Sequence, residues 1–123
     1  MNLTISTLRH TWLIDIDGTV LEHNGHLKDG DSLLPGVREF WANIPQHDAI
    51  IRLSARDERY REHTLAFMVT EGLRFDGALF GLPTGERVLI NDRKNSGLPT
   101  AFAVNLPRNV GLGEIQFTMD GSL

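Results

Sequence analysis

Short apolar runs that end in polar residues predict the strands of a mainly parallel sheet. Residues 11–14 are largely apolar and stop abruptly at Asp15 and Asp17, which is typical of a buried strand that ends at a functional edge. Residues 49–53 form a second run of this kind, which ends at Ser54. Three further short apolar runs are predicted as strands, at residues 78–80, 88–90 and 101–104.

Two amphipathic segments between these runs predict helices. Pro35 suits the first turn of a helix, and the apolar residues after it share one face until Pro45. The second helix is predicted over residues 57–71, and Gly72 can supply the left-handed residue that ends it. Strands that alternate with helices favour an α/β fold, with a mainly parallel sheet and flanking helices.

Two connections and the C-terminal segment are less regular. Residues 21–32 are rich in Gly, Asp, His and Asn, which suits an exposed loop or a small hairpin. Residues 81–86 are too few for the crossover helix that normally joins parallel strands. Either this segment crosses in an extended form, or one of the neighbouring runs is antiparallel. Residues 111–123 are harder to place.

The length and composition favour one soluble domain. The chain has 123 residues without an internal repeat or linker, so we expect a single domain with a core at about 11–105 and a tail at 106–123. No apolar run approaches the roughly 18 residues of a membrane-spanning helix. The first ten residues lack the apolar core of a signal peptide. A cytoplasmic location is the expectation.

Charge and cysteine content exclude several kinds of chemistry. The chain carries 16 acidic and 12 basic side chains, so its net charge of -4 gives no long-range attraction to nucleic acid or to an anionic membrane. The absence of cysteine excludes disulfides, thiolate metal sites and cysteine nucleophiles. A nucleic-acid or membrane partner is therefore disfavoured.

Polar residues at the strand ends point to one crevice. In open parallel sheets the ligand site lies beyond the carboxyl ends of the strands. Asp15 and Asp17 follow the first strand, Ser54 follows the second, and Asn91 and Asp92 follow the predicted strand at residues 88–90. We expect these side chains to lie near one another.

The segment after the first strand resembles the first motif of the haloacid dehalogenase (HAD) superfamily. The residues that carry the resemblance are Asp15-Ile16-Asp17-Gly18-Thr19. The resemblance implies that Asp15 attacks phosphorus to form an aspartyl phosphate, a role that suits a carboxylate because it is already ionised at neutral pH. It implies that Asp17 protonates the leaving oxygen and later deprotonates water.

Two further motifs follow in the order that this superfamily shows. Ser54 resembles the serine of the second motif, so a phosphate site is implied at Ser54, the neighbouring backbone at Ala55, and Arg56. Asp92 resembles the magnesium-binding acid of the fourth motif. The implied ligands of Mg2+ are Asp15, the carbonyl of Ile16, Asp92 and water, which are the hard oxygen donors that this cation prefers.

The resemblance extends over about residues 11–105, implies a Rossmann-like core and leaves no room for a cap domain. The stretch Phe80-Gly81-Leu82-Pro83 also resembles small capless members of sugar-phosphate and capsular polysaccharide pathways. It therefore implies a Mg2+-dependent phosphatase that acts on a small, sugar-like phosphorylated metabolite. Because a capless site exposes its reacting atoms, we also expect a homo-oligomer that partly covers the crevice.

Two residues depart from the superfamily pattern. Leu82 stands where relatives often carry a phosphate-binding lysine, and Asn91 stands where some carry a second acid. Lys94 is the first candidate for the replacement cation, because it lies two residues beyond Asp92. Arg56 is the second candidate. Arg87 is the third, because a straight strand at residues 88–90 would place it at the end remote from the chemistry.

Other functions and simpler interpretations stay open at this stage. A polynucleotide end phosphatase would use the same chemistry, and a catalytically silent binding or assembly module would explain Leu82 and Asn91. The aspartates of the first motif could belong to a solvated turn, since Asp and Gly are common turn residues. Ser54 could be a helix cap.

Overall fold

The computed structural model describes residues 1–123 and contains two parallel β-sheets and two α-helices. The strands are β1 (Asn2–Ile5), β2 (Thr11–Asp15), β3 (Ala49–Leu53), β4 (Gly77–Leu79) and β5 (Gln116–Met119). The helices are α1 (Val37–Asn43) and α2 (Arg61–Thr70). Strands and helices alternate from β2 to β4, so the α/β class predicted from the sequence is confirmed.

The main sheet brings three strand ends to one edge. β3 is central and pairs in parallel with β2 on one side and with β4 on the other. The register sets Asp15 beside Leu53 and Leu53 beside Leu79. The chain therefore leaves all three strands at the same edge, and β2 keeps its second edge unpaired.

A second sheet joins the two ends of the chain and was not predicted. β1 pairs in parallel with β5, with Asn2 beside Gln116 and Ile5 beside Met119. Leu112 and Ile115 of the predicted tail are buried within the core cluster. Residues 106–123 are therefore part of the packed structure rather than an appendage.

Both predicted helices are present, with shifts at their ends. α1 buries Val37, Phe40 and Trp41, three of the residues on the predicted apolar face. α2 follows a short 3-10 turn at Glu58–Tyr60, and the carboxylate of Asp57 caps that turn by accepting from the Arg59 amide at 2.9 Å. Gly72 has a φ of 75° and follows α2, as predicted. Neither helix is long and apolar enough to cross a membrane.

The core contains one charged side chain without a carboxylate partner. Arg52 is fully buried and donates to the carbonyl of Leu73 at 2.8 Å. Its guanidinium lies 4.6 Å from the ring centre of Trp41 and 5.0 Å from that of Phe75. Burial lowers the pKa of Arg52 to about 9. Aromatic faces and a backbone carbonyl thus take the place of a counter-ion in stabilising this cation.

Two predicted strands are wrong. Residues 88–90 and 101–104 form no strand, and Val88 and Ile90 are 82% and 89% exposed. The run predicted at residues 78–80 is present as β4, one residue earlier. A strand needs a neighbour for its backbone groups, and a short apolar run does not specify that neighbour. Since residues 88–90 form no strand, neither alternative for residues 81–86, an extended crossing or an antiparallel neighbour, applies.

Candidate functional site

A tight turn after β2 presents the first motif. The carbonyl of Ile16 accepts from the amides of Thr19, Val20 and Leu21 at 3.3, 3.0 and 3.0 Å. Gly18 has a φ of 81°, a conformation that glycine adopts without steric cost. The first motif is therefore an ordered turn, held by its own backbone at the end of β2.

Asp15, the predicted nucleophile, lies at the carboxyl end of β2 with both oxygens engaged. Its Oδ2 accepts from the Thr19 hydroxyl at 3.0 Å, and its Oδ1 lies 2.6 Å from Nη1 of Arg87. The side chains of Asp15 and Arg87 are 32% and 36% exposed, so a ligand can reach both. The predicted remote position of Arg87 is wrong, because the strand on which it depended does not form.

Asp17 is held by a buried arginine that also binds a second acid. Arg56 donates to Asp17 through Nε and Nη2, at distances of 2.8 to 3.0 Å. It donates to Asp31 through Nη1 and Nη2, at 3.0 and 2.7 Å, and to the Thr64 hydroxyl at 2.8 Å. All five N–H groups of this guanidinium can be used in these contacts. Phosphate binding by Arg56 would therefore require one carboxylate to give way.

The electrostatics of this cluster favour a permanently charged arginine. Burial lowers the pKa of Arg56, but the hydrogen bonds and charges of Asp31 and Asp17 reverse this, so its net pKa lies above the ordinary value. The Asp31 side chain is completely buried, whereas that of Asp17 is 15% exposed. Sequence reasoning missed Asp31, which lies in the segment predicted as an exposed loop or hairpin. Nothing in the sequence distinguished it from Asp29.

Ser54 and Ala55 occupy the end of the neighbouring strand β3. Ser54 is fully buried, and its hydroxyl accepts from the amide of Arg56 at 3.0 Å and lies 3.4 Å from Oδ2 of Asp17. It caps no helix, because Asp57 has that role. The backbone amides of Asp17 and Ala55 donate to no other backbone group. Two N–H donors are thus available where β2 and β3 end.

Asp92 and Lys94 line the same cavity as Asp15, but lie on a segment without regular structure. Their side chains are exposed. The backbone carbonyl of Asp92 accepts from the hydroxyl of Thr100, and the amide of Lys94 donates to the Leu98 carbonyl at 3.0 Å. No group of three or more His, Asp or Glu side chains is arranged to hold a metal ion.

Residues 107–112 pack against the first motif. The amide of Asn109 donates to the carbonyl of Gly18 at 2.8 Å, and its side-chain oxygen accepts from the amide of His23 at 2.8 Å. The amide of Leu112 donates to the carbonyl of Pro35 at 2.9 Å. Asn109 itself has a φ of 66°. Sequence reasoning missed this contact, although Asn and Gly in one short segment are a signal for left-handed backbone.

Two histidines after the first motif also face this region. The Nδ1 atoms of His23 and His26 are buried and have no hydrogen-bond partner. Burial, followed by the charge of Arg56, lowers the pKa of His26 and so favours the neutral form of its ring. The ring of His26 packs edge-on against Tyr60, with centroids 4.7 Å apart. These contacts give His26 a packing role beside the Arg56 cluster.

The cavity that contains these residues is large and less acidic than the chain as a whole. Its volume is about 2020 Å³, above the roughly 300 to 1,000 Å³ of typical small-ligand pockets. Six basic and five acidic side chains line it, whereas the whole chain has 12 basic and 16 acidic ones. The segregation of charge favours an anionic ligand in the cavity.

Neither a family model, nor a curated protein, nor a solved structure matches this chain.

Proposed function

We propose that this protein is a Mg2+-dependent phosphomonoester hydrolase that acts through an aspartyl phosphate on a small, sugar-like phosphate. One observation carries the proposal. Asp15 and Asp17 lie at the end of β2, and the unpaired amides of Asp17 and Ala55 are available at the ends of β2 and β3. An anionic nucleophile beside free N–H donors suits attack on a phosphoryl group whose oxygens those donors stabilise.

The first step transfers the phosphoryl group to Asp15. A carboxylate oxygen of Asp15 forms a bond to phosphorus while the bond from phosphorus to the ester oxygen breaks. Asp17 donates its proton to that departing oxygen, so the product leaves as an alcohol. Arg87 lies 2.6 Å from Asp15 and can move its hydrogen bond to a phosphoryl oxygen as negative charge develops there.

The second step returns the enzyme to its starting state. Asp17, now ionised, removes a proton from water, and the water oxygen bonds to phosphorus as the bond to Asp15 breaks. Asp17 must therefore carry a proton in one step and a charge in the other. Asp31 stays paired with Arg56 throughout, so the buried guanidinium keeps a counter-ion while Asp17 is protonated.

The oxygen donors at the cavity fit Mg2+ in type, with one change from the predicted set. The Ile16 carbonyl already accepts from three amides, whereas the Asp17 carbonyl accepts from no backbone group. We therefore assign the metal to the carboxylates of Asp15 and Asp92 and the carbonyl of Asp17. When bound, Mg2+ neutralises charge on the nucleophile and the phosphoryl group.

We also propose that the fold is a capless HAD-like core. It is supported by the order β2-β3-β4, with the paired aspartates after one strand and Ser54 after the next. No inserted domain separates β2 from α1 or β3 from α2. The size of the cavity keeps a polynucleotide end phosphatase as the second candidate, because an open trough admits a strand end.

A phosphatase screen with a matched pair of variants tests the proposal. Sugar phosphates, nucleotides and oligonucleotides with terminal phosphates are assayed with Mg2+ and with excess chelator. We expect turnover of a sugar phosphate that requires Mg2+ and is lost in Asp15→Asn. Asp29→Asn is the control, because Asp29 is exposed and does not line the cavity. Turnover confined to oligonucleotide ends would select the second candidate, and no turnover would favour a binding module.

A further inference from the structure

The C-terminal segment places an arginine against the first motif. The side chain of Arg108 lies over Gly18 so closely that a Cβ added at Gly18 would be 3.1 Å from its Cγ and 3.7 Å from its Nε. Arg108 lines the same cavity as Asp15, Asp17 and Thr19. The Arg108 side chain therefore begins at the edge of the proposed phosphate site.

The backbone around Arg108 is held firmly although the side chain is exposed. Asn109, the next residue, binds the Gly18 carbonyl and the His23 amide at 2.8 Å each. Three residues beyond Arg108, Gly111 approaches Pro35 so closely that a Cβ would lie 2.1 Å from the Pro35 carbonyl oxygen. These contacts tie the segment to the motif turn and to the start of α1, which fixes the origin of the Arg108 side chain.

Arg108 has no ion-pair partner, in contrast to Arg56 and Arg87. Arg87 is paired with Asp15, and Arg56 is paired with Asp17 and Asp31. An anion that binds to either of them competes with a carboxylate. An anion that binds to Arg108 displaces only water, and the planar guanidinium can donate two parallel hydrogen bonds to phosphate.

Lys94 also lacks an ion-pair partner, but its surroundings are different. Its segment has no helix or strand, and its only backbone hydrogen bonds link it to Gly97 and Leu98. No contact of that kind ties Lys94 to the motif turn. Arg108 is therefore better positioned than Lys94 to contact a ligand at the first motif.

We propose that Arg108 binds the phosphate group of the ligand. It supplies the positive charge that is missing because Leu82 stands where relatives often carry a phosphate-binding lysine. This assignment rests on the proposed function for the identity of the ligand. The role is binding rather than proton transfer, so Arg108 should act mainly on affinity. The guanidinium of Arg108 would contact a phosphate dianion, and this contact does not depend on which molecule carries the phosphate.

Titration with inorganic phosphate, in the presence of Mg2+, tests this assignment directly. We compare the wild-type protein with Arg108→Met and with the control Arg93→Met, since Arg93 is exposed, unpaired and outside the cavity lining. We expect Arg108→Met to weaken phosphate binding about tenfold, as the loss of one charge-assisted contact implies. Arg108→Lys should recover part of the affinity, and Arg93→Met should bind as the wild type does.

Turnover of the substrate found in the screen separates this inference from the proposed function. We expect Arg108→Met to raise KM by a larger factor than it lowers kcat. Unchanged phosphate affinity in Arg108→Met, equal losses in Arg93→Met, or no binding by the wild type would overturn the inference. Binding that depends on Arg108 in a protein without turnover would leave the inference standing and defeat the proposed function.

Discussion

Nη1 of Arg87 lies 2.6 Å from Oδ1 of Asp15, although 72 positions separate the two residues in the chain. The contact exists because the segment after β4 returns across the end of β2 instead of adding a straight strand at residues 88–90. It places a cation directly on the proposed nucleophile. We therefore expect substitution of Arg87 to affect catalysis.

Arg87→Met should lower kcat/KM about tenfold or more, because a cation that can follow the developing negative charge is removed. Steady-state kinetics on the substrate from the screen measures the effect. Arg93→Met is the matched control, since it removes an exposed arginine outside the cavity. Faster turnover in Arg87→Met would mean that the ion pair blocks Asp15 rather than assisting it.

Asp17→Asn should lower kcat by about 100-fold or more while leaving KM within a small factor, because proton transfer matters in the transition state. The amide keeps an oxygen that can accept from Arg56, so the buried arginine stays partly satisfied. Single-turnover kinetics with a poor and a good leaving group measures the role. A loss that is independent of the leaving group would contradict proton donation.

Asp31→Asn should destabilise the protein by about 3 kcal/mol, because it removes one charge from a buried ion pair. Asp31 has a completely buried side chain and two contacts with Arg56. Urea unfolding at pH 7 measures the change in the free energy of unfolding. Asp29→Asn, on the same loop but exposed, should change it by less than about 0.5 kcal/mol. Equal stability of the two variants would contradict a stabilising role for the cluster.

Asp48 should give the protein an acid-sensitive component of stability. Burial raises the pKa of this carboxyl, but hydrogen bonds from Trp12 and His10 outweigh it and hold the pKa below the ordinary value of 3.8. The folded state therefore binds fewer protons than the unfolded chain in this range. The stabilisation is present above the ordinary value and is lost as the pH falls through the folded-state pKa.

Asp48→Asn removes this dependence. At pH 7 we expect the variant to lose about 1 to 3 kcal/mol, the cost of disturbing buried hydrogen bonds to a charged group. Below the ordinary pKa of Asp48, the difference from the wild type should shrink. Urea unfolding at several pH values between 7 and 3 measures both effects. A difference that stays constant over this range would show that the charge of Asp48 makes no contribution.

The sequence predicted the part of the fold in which local pattern and packing agree. The apolar runs of β2 and β3 end at polar residues, and α1 has a clear apolar face, so these elements appear near the predicted positions. α2 also lies near its predicted position, although only Thr64 and Met68 are buried on it. The runs at residues 88–90 and 101–104 have equal apolarity but no partner strand. A pattern of three or four residues cannot specify a neighbour that lies elsewhere in the chain.

The sequence also determined the chemistry that is available. It placed Asp15 and Asp17 after one strand and Ser54 after the next, and parallel pairing in register is enough to bring strand ends to one edge. Only the tertiary structure decided which charges meet. The pairing of Arg56 with Asp31, the contact of Arg87 with Asp15, and the position of Arg108 over Gly18 all join residues far apart in the chain. Such contacts depend on the paths of the loops and on which groups become buried. The reason is that burying a charged group costs little free energy only where a partner for it is already in place.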